Sequence, residues 1–536
     1  MSRQVILSDC HMPRGFQPIL PLLFIMLIIG TNSQACVGQV DRNLLPYDEL
    51  YRPQYHYTPA AHWMNDPNGL VYLDGEYHLF YQYNPNASVW GLMHWGHAIS
   101  SDLVNWQQLP VALSPDDLGN IFSGSAVIDR NNSAGFGANA LVAVFTHDLN
   151  GSQRQSLAYS TDKGGTWTKY ADNPVLTAPN NLRNFRDPKV IWYDPGDGAG
   201  HWVMSVAAGN IILFYTSPDL KHWTIGSGFG LGYGSTSGVW ETPDLFQLPV
   251  DGGPDSRWVL TVGVGNGAPA GGSGVQYFIG NFDGSTFTSE NPKETVLWAD
   301  YGADFYAAQN WNNSPEGRMI WAGWMNNWTY AEKIPPTVWR GALTLPRELA
   351  LITTPQGIRL VQLPVPELES LRKNHSNWQN ETLSPDTNLL KDISGETLEI
   401  VARFQVDAAT TADRFGFRVR VGDGEYTSIG YATKGEQLFI DRSNSGQVDF
   451  SPNFTKIHTA AMQPIDQTIQ LHIFVDRSSV EVFGNNGLVV MTDQIFPDAG
   501  SQGLEVFADS GTVVIKSLDV YTLEAAKFYT DPSGQS

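Results

Sequence analysis

The sequence predicts an all-β chain, a five-bladed β-propeller followed by a C-terminal β-sandwich, and three observations predict it. Aromatic and turn-forming residues are abundant (Trp 17, Tyr 21, Phe 25, Gly 52 and Pro 32 in 536 residues), while long amphipathic helices are hard to find. Two series of polar sites recur at intervals of about sixty residues, the mark of a repeat architecture. Past Leu351 the recurrence stops and alternating apolar runs of another kind follow. A hydrophobic content of 42% gives a large core, and the length suggests two or more domains.

The amino-terminal segment reads as a targeting signal. An apolar run from Phe16 to Gly30 follows Arg3 and Arg14 and precedes the small residues Ser33 and Ala35. That layout predicts a signal peptide over residues 1–36, cleaved near Ala35, and an extracellular protein. A retained anchor is less favoured, because Pro18 and Pro21 interrupt the run and it is short for a bilayer span. Cys10 and Cys36 are the only cysteines, so the mature chain makes no internal disulfide and relies on core size. A lipid-modified Cys36 fits poorly with Ser33-Gln34-Ala35 before it. Glycosylation acceptors occur at Asn86, Asn131, Asn150, Asn312, Asn327, Asn374, Asn380 and Asn453. The formal charge of −22 argues against nucleic acid or an anionic membrane as partner. It suits a neutral substrate and is compatible with a monomer.

The propeller is expected over 45–354. One series sets Asp at the start of a turn with an aromatic beneath it: Asp102 with Trp106, Asp162 with Trp167, Asp219 with Trp223, Asp283 with Phe287. The Asp intervals are 60, 57 and 64. A second, out of phase, places polar residues at the opening of apolar strands: Asp66, Ser123, Asp187, Glu241 and Asp304, spaced 57, 64, 54 and 63. After each comes a strand, a Gly/Asp/Pro turn and another strand, which reads as one four-stranded sheet per repeat. If these sites open the innermost strands, all five converge on one end of the central channel.

Beyond the propeller, Pro355, Pro364, Pro366 and the polar stretch Lys373 to Asn388 read as a connector over 355–390. Runs such as Leu471 to Val475, Val480 to Phe483 and Val513 to Ser517, with turns like Gly484 to Gly487, predict a sandwich over 391–527. It carries no carboxylate cluster of its own. A disordered tail is expected over 528–536.

The chemistry starts from Trp63-Met-Asn-Asp-Pro-Asn-Gly69, a rigid polar turn holding one carboxylate ahead of a strand. Two carboxylates facing each other in an aromatic-lined pocket are what glycoside hydrolysis requires: one attacks or steadies the anomeric carbon, the other, protonated, serves the leaving oxygen. Glu241, between Val239-Trp240 and Pro243, lies in the more apolar context and is the better proton donor. Asp66, among Asn65 and Asn68, is suited to stay ionised. Asp187 follows Arg186, whose charge should also keep it ionised for hydrogen bonding to sugar hydroxyls, although a local ion pair at a turn is an equal reading of those two residues. No His/Cys cluster and no Gly-rich phosphate loop is visible, so no metal, nucleotide or other cofactor is predicted.

These residues resemble glycoside hydrolase family 32, the β-fructofuranosidases. The resemblance rests on Trp63 to Gly69, Phe122-Ser-Gly124, Phe185-Arg-Asp-Pro188, Glu241 before Pro243-Asp-Leu245, and Trp324-Met-Asn-Asn-Trp328, and runs from about Tyr51 through the sandwich. It implies a five-bladed propeller joined to a sandwich, and retaining hydrolysis of terminal β-D-fructofuranosyl units. It implies Asp66 as nucleophile, Asp187 as transition-state stabiliser and Glu241 as acid/base. Asn65, Gln82, Trp90, Phe122, Ser123, Arg186, Asp304 and Trp324 are then expected to line the fructose subsite. One departure is Thr242, where the family usually has Cys. A hydroxyl is the stronger donor, so Thr242 is expected to alter the pH dependence through Glu241. Endo-acting members tend to carry Glu in place of Asp66. This chain keeps Asp, and Trp324 to Trp328 and Tyr330 to Arg340 look most similar to exo-inulinases and levanases, which favours an exo-acting fructanase that also cleaves sucrose. The alternatives are a fructosyltransferase making fructooligosaccharides, which shares the same intermediate, a non-catalytic carbohydrate-binding protein, and a sialidase suggested by the turn Ser160 to Trp167.

Overall fold

The computed structural model describes residues 43–530, apart from 197 and 455. The expected signal peptide, Cys10 and Cys36, and residues 531–536 of the expected tail lie outside the described residues.

Five sheets account for the chain up to Pro364. Their innermost strands are His62–Leu73, Asn120–Asp129, Phe185–Tyr193, Trp240–Pro249 and Tyr306–Asn310. In each sheet the next strands add antiparallel and outward, as in Phe185–Tyr193, His201–Ala208, Ile212–Ser217 and Thr224–Phe229. The inner strands touch in cyclic order, first to second through fifth and back to first, so the sheets close into a propeller. Radial repetition leaves only the short outer strands as edges, which suits a chain built from short antiparallel units. The strands are Val-, Ile- and aromatic-rich, and neighbouring sheets pack those side chains face to face. Val142, Val144 and Leu157 of the second sheet meet Val190, Met204 and Val206 of the third in this way.

The Asp-aromatic series supplies the outer turns. Asp102 Oδ1 accepts the backbone N–H groups of Val104 and Asn105, at 3.0 and 2.7 Å. Asp219 Oδ1 does the same for Lys221 and His222, and Asp283 Oδ1 for Ser285 and Thr286. Asp162 Oδ1 accepts the N–H of Thr166 at 2.9 Å. Each turn links the third strand of a sheet to its outer strand, so the turn that suggested a sialidase, at Asp162, is one of a structural set.

After Pro364 a six-stranded and a five-stranded sheet face each other across a core that includes Phe404, Phe415, Ile429, Ile473 and Val482. This is the sandwich. Two buried ionic networks join it to the propeller. Arg347 donates to Glu481 Oε2 at 2.6 Å and to Asp300 Oδ2 at 3.2 Å, and His56 bridges Glu481 and Asp476 at 2.9 and 2.7 Å. In the other, Arg442 donates to Asp304 Oδ2 at 2.8 Å.

Two stretches differ from expectation. The connector span 355–390 is largely strand. Gly357–Pro364 is the outer strand of the fifth sheet, and Arg372–Leu383 pairs along Val513–Leu523 of the sandwich. Its prolines sit at the strand end and at a 3-10 turn, Pro366–Leu371, where no ladder N–H is needed. In the expected tail, Phe528–Thr530 is a strand too. It pairs in parallel with Trp106–Leu113 and covers the outer edge of the first sheet. Four of the eight glycosylation acceptors donate their amide within the chain, Asn374 Nδ2 to Thr522 Oγ1 and Asn453 Nδ2 to Thr329 O at exposed positions, the other two at less exposed ones. Asn312 Nδ2 donates to Ala126 O, and Asn327 Nδ2 to Ala303 O and Gly271 O.

Candidate active site

Every inner strand carries one extra residue near its start, and these β-bulges build the site. In the first strand Met64 pairs Tyr83 and Pro67 pairs Tyr81, so Asn65 and Asp66 together face Gln82. In the second, Ser123 is the extra residue between Phe122 and Gly124. In the third, fourth and fifth the irregularity falls at Asp187-Pro188, Thr242-Pro243 and Ala307-Ala308. Asp187, Thr242 and Ala307 all adopt positive φ, of 64°, 45° and 51°. A bulge bends its strand and re-aims the side chains beside it. Repeated five times at one end of the ring, it turns polar groups into the channel mouth.

There a pocket of about 400 Å³ gathers Asn65, Asp66, Gln82, Trp90, Phe122, Ser123, Arg186, Asp187 and Glu241. Nine of the eleven residues expected at the site are therefore together. Asp66 is held by Ser123, whose hydroxyl donates to Oδ2 at 2.8 Å, and by Asn65, whose Nδ2 donates to Oδ1 at 3.0 Å. Asn65 is oriented in turn by Trp63 Nε1 at 2.8 Å. Trp95 Nε1 donates to the Phe122 carbonyl at 3.0 Å, and Gln82 Nε2 to that of Ile121 at 3.1 Å, fixing the second bulge against the first sheet.

Arg186 has a closer partner than the neighbouring Asp187. Its Nη2 and Nε both donate to Glu241 Oε1, at 2.7 and 3.0 Å, whereas Asp187 Oδ2 stands 4.0 Å away. The bulge explains this: Arg186 and Glu241 hold corresponding positions on adjacent strands, while Asp187 is turned aside at positive φ. Tyr306 completes the clamp, its hydroxyl donating to Glu241 Oε2 at 2.5 Å. Asp187 accepts the N–H of Thr242 at 2.9 Å. Burial, with Arg186 opposing and the charges of Glu241 and Asp66 adding, pushes Asp187 up to about 7. Burial and then the charge of Glu241 push Asp66 up to about 6, against the hydrogen bonds from Asn65 and Ser123. Asn65, Ser123 and Arg186 favour the ionised forms, in the direction expected of them, but removal from water outweighs them and both groups titrate above the usual carboxylate range.

Two expected residues lie elsewhere. Asp304 is fully buried against the sandwich, accepting from Tyr330 Oη at 2.7 Å and from Arg442. It precedes the fifth inner strand, and the residue that corresponds to Arg186 and Glu241 is Tyr306, two positions on. Trp324 is also fully buried, its ring 4.7 Å from Trp328 and 5.9 Å from Trp63; it supports the pocket wall from behind, and Trp328 does the lining. The hydroxyl of Thr242, expected to act on Glu241, is buried with no hydrogen-bond partner.

Sequence reasoning missed Tyr306, Trp328, Asp148 and Gln153. Tyr306 had a signal. Phe185-Arg-Asp-Pro and Trp240-Glu-Thr-Pro share the order aromatic, site residue, bulge residue, proline, and Phe305-Tyr-Ala-Ala follows it with Ala in the last place. Asp148 and Gln153 flank a hairpin tip outside both series and carried no such mark. Behind the pocket the channel is plugged by Lys189, whose Nζ lies 3.1 Å from Asp244 Oδ1 and 2.9 Å from Asn310 Oδ1. Among the described residues no group of His, Cys, Asp and Glu is arranged to hold a metal ion. Buried carboxylates with raised pKa values, beside a third carboxylate held by Arg186 and Tyr306, are equipped for proton transfer and nucleophilic attack.

Comparison with known proteins agrees. Residues 56–364 match the glycosyl hydrolases family 32 N-terminal domain, and 367–522 the C-terminal domain of the same family. A levanase of Bacillus subtilis (strain 168) is 54% identical over 486 residues, 89% of this chain and 71% of that protein. An extracellular exo-inulinase of Aspergillus awamori is 40% identical over 518 residues, 89% of this chain and 95% of that protein. The crystal structure of an exo-inulinase from Aspergillus awamori superposes with a TM-score of 0.83 at 38% identity, covering 89% of this chain and 99% of that one. With both of the family's domains matched in order and the five motif segments carried by the propeller, the chain belongs to glycosyl hydrolase family 32 and is a glycoside hydrolase.

Proposed function

We propose that the protein is a secreted, retaining exo-β-D-fructosidase that releases terminal fructose from levan and inulin and also cleaves sucrose. The observation that carries this reading is the grouping of Asp66, Asp187 and Glu241 in one plugged pocket, with Arg186 and Tyr306 on Glu241. Asp66 attacks the anomeric carbon of the terminal fructose. Glu241 gives its proton to the departing glycosidic oxygen, and a fructosyl ester on Asp66 results. Glu241 then takes a proton from water as the water opens that ester, restoring both groups. The charge of Glu241 is one cause of the raised Asp66 pKa. A proton on Glu241 removes that influence, so the state ready to donate is also the state in which Asp66 ionises most easily. Asp187, fixed by the Thr242 N–H, accepts hydrogen bonds from fructose hydroxyls as charge develops on the ring.

Exo action is supported by the plug of Lys189, Asp244 and Asn310. With the channel shut behind the carboxylates, a sugar enters and leaves through one mouth, end first. It is supported too by the exo-inulinase relative. Secretion is supported by the layout of 1–36 and by the relative's extracellular description, and no helix of the described residues is long and apolar enough to cross a membrane.

The test is a product analysis on inulin, levan and concentrated sucrose. Fructose is expected as the sole early product from the fructans. Early oligofructosides from inulin would refute exo action, and kestose from sucrose would replace hydrolysis by transfer. Asp66→Asn and Glu241→Gln are each expected to abolish turnover in folded protein; full activity in either ends the mechanism.

A further inference from the structure

The propeller channel has a second mouth. Where the inner strands finish, Ile128 of the second strand, Trp192 of the third and Asn312, just past the fifth, border a cavity of about 370 Å³. The Asp66 pocket, near the starts of the same strands, measures about 400 Å³. Among the described residues only two tryptophans are exposed, Trp90 (44%) and Trp192 (42%), and one stands at each cavity. The two are braced alike. Trp90 meets the ring of Phe122 edge-on at 6.0 Å and 70°, and Trp192 meets Trp202 at 5.0 Å and 75°. Trp202 is itself tied down, Nε1 donating to Ser133 Oγ at 2.9 Å. Gly200 lets the backbone close on the Trp192 indole, since a Cβ there would come within 2.5 Å of it.

A braced, half-exposed indole offers rigid apolar area with little conformational entropy to lose, a match for the C–H face of a sugar ring. The surrounding polar groups suit sugar hydroxyls. Arg130 and Asn131 are exposed donors on the rim, and Asn312, its Nδ2 spent on Ala126 O and Val190 O, keeps its amide oxygen as an acceptor. Carboxylate chemistry is missing. Asp129 is fully buried, Oδ1 accepting from the N–H and hydroxyl of Ser133 and Oδ2 from the N–H of Ala134. The cavity has the means to hold a carbohydrate and none to cut it. A smaller hollow of about 140 Å³ shares Ile191, Asn312 and Asn313 with it and runs toward Trp258, so the depression continues beyond one sugar unit.

We propose that this far mouth is a non-catalytic fructan-binding site, holding internal fructosyl units of a chain whose end is trimmed in the Asp66 pocket; the proposal rests on the fructosidase reading. Asp187 and Trp192 are five residues apart on one strand, and a polysaccharide passing around a four-stranded blade between the mouths covers on the order of 50 Å. Sucrose cannot span that path and a long fructan can. The site therefore acts only on polymer, by raising the local concentration of chain ends.

The test separates polymer from sucrose. Asn131 heads a glycosylation acceptor at the rim, so the protein is produced without N-glycosylation. Asp66→Asn protein, unable to digest the gel, is run through levan-containing native gels with saturating sucrose to fill the catalytic pocket. It is expected to be retarded, and the same protein carrying Trp192→Ala, or Arg130→Ala with Asn131→Ala, is expected to migrate freely. In the active enzyme these substitutions are expected to raise KM for long-chain levan about 3- to 10-fold, with kcat/KM for sucrose unchanged. Undiminished retardation of both folded variants overturns the proposal, as does an equal loss on levan and sucrose. A wild-type enzyme that releases fructose from neither substrate would instead fail the fructosidase reading and take the site with it.

Discussion

At the scale of single residues, the site is governed by what burial does to two carboxylates. Asp66 and Asp187 each rise above the usual range because little water reaches them, and neighbouring bonds offset only part of the shift. Ser123 is one of the offsetting groups, its hydroxyl donating to Asp66 Oδ2 at 2.8 Å and favouring the ionised form. Ser123→Ala removes that donor, so Asp66 holds its proton to higher pH. In the proposed mechanism Asp66 attacks only when ionised, so the acidic limb of kcat/KM is expected to move upward, by about one pH unit if the bond is worth roughly 1.5 kcal/mol. A limb that stays in place would detach Asp66 from the rate. The same raised pKa has a thermodynamic sign. The contribution of Asp66 to stability is fully present below its unfolded value of 3.8 and is lost as pH rises through about 6. Asp66→Asn is therefore expected to melt at a higher temperature than the wild type at pH 8, with the difference vanishing by pH 4; an equal Tm at pH 8 would contradict the burial cost.

At the scale of elements, the bulged inner strand is the working unit. One extra residue aims Arg186, Glu241 and Tyr306 at the same spot from three consecutive strands, and in each the next residue takes positive φ. Thr242 shows how firmly the geometry is imposed. A β-branched residue at φ 45° is an outlier, and its buried hydroxyl has no partner; what the site uses is its N–H on Asp187. Thr242→Cys relieves the branching and the orphaned hydroxyl while keeping that N–H. It is expected to raise stability by about 1 kcal/mol with the pH–rate profile unmoved. A shifted profile would restore the link from the hydroxyl to Glu241 that the sequence suggested.

At the scale of the whole molecule, the sandwich is bolted to the propeller by buried charge, and Asp304 belongs to that joint. Asp304→Asn replaces the nearer carboxylate of the buried Arg442 guanidinium, at 2.8 Å, by a neutral group and leaves only Asp493 Oδ1, at 3.8 Å, to offset the charge. Breaking a buried pair costs about 3–5 kcal/mol, so a marked fall in Tm is expected, while KM for sucrose stays within about twofold at temperatures where the variant is folded. A raised KM with an unchanged Tm would return Asp304 to the fructose subsite.

The sequence by itself determined that the chain is all-β, where its repeats begin, and which three carboxylates gather in one pocket. These properties reside in local patterns, an Asp that caps a turn or a polar pair beside a strand, and nine of the eleven expected residues meet in one pocket. Asp304 and Tyr306 show where that legibility stops. A repeat of about sixty residues tolerates offsets of several positions, and only the bulge register distinguishes the residue that faces Glu241 from the one two places earlier that faces Arg442. The partner of Arg186 was likewise undecidable along the chain, because Asp187 is adjacent in sequence and Glu241 adjacent in space. Tertiary structure decided the pairings and the pKa values, since both depend on which groups share a water-free enclosure, and that enclosure exists only once the ring has closed.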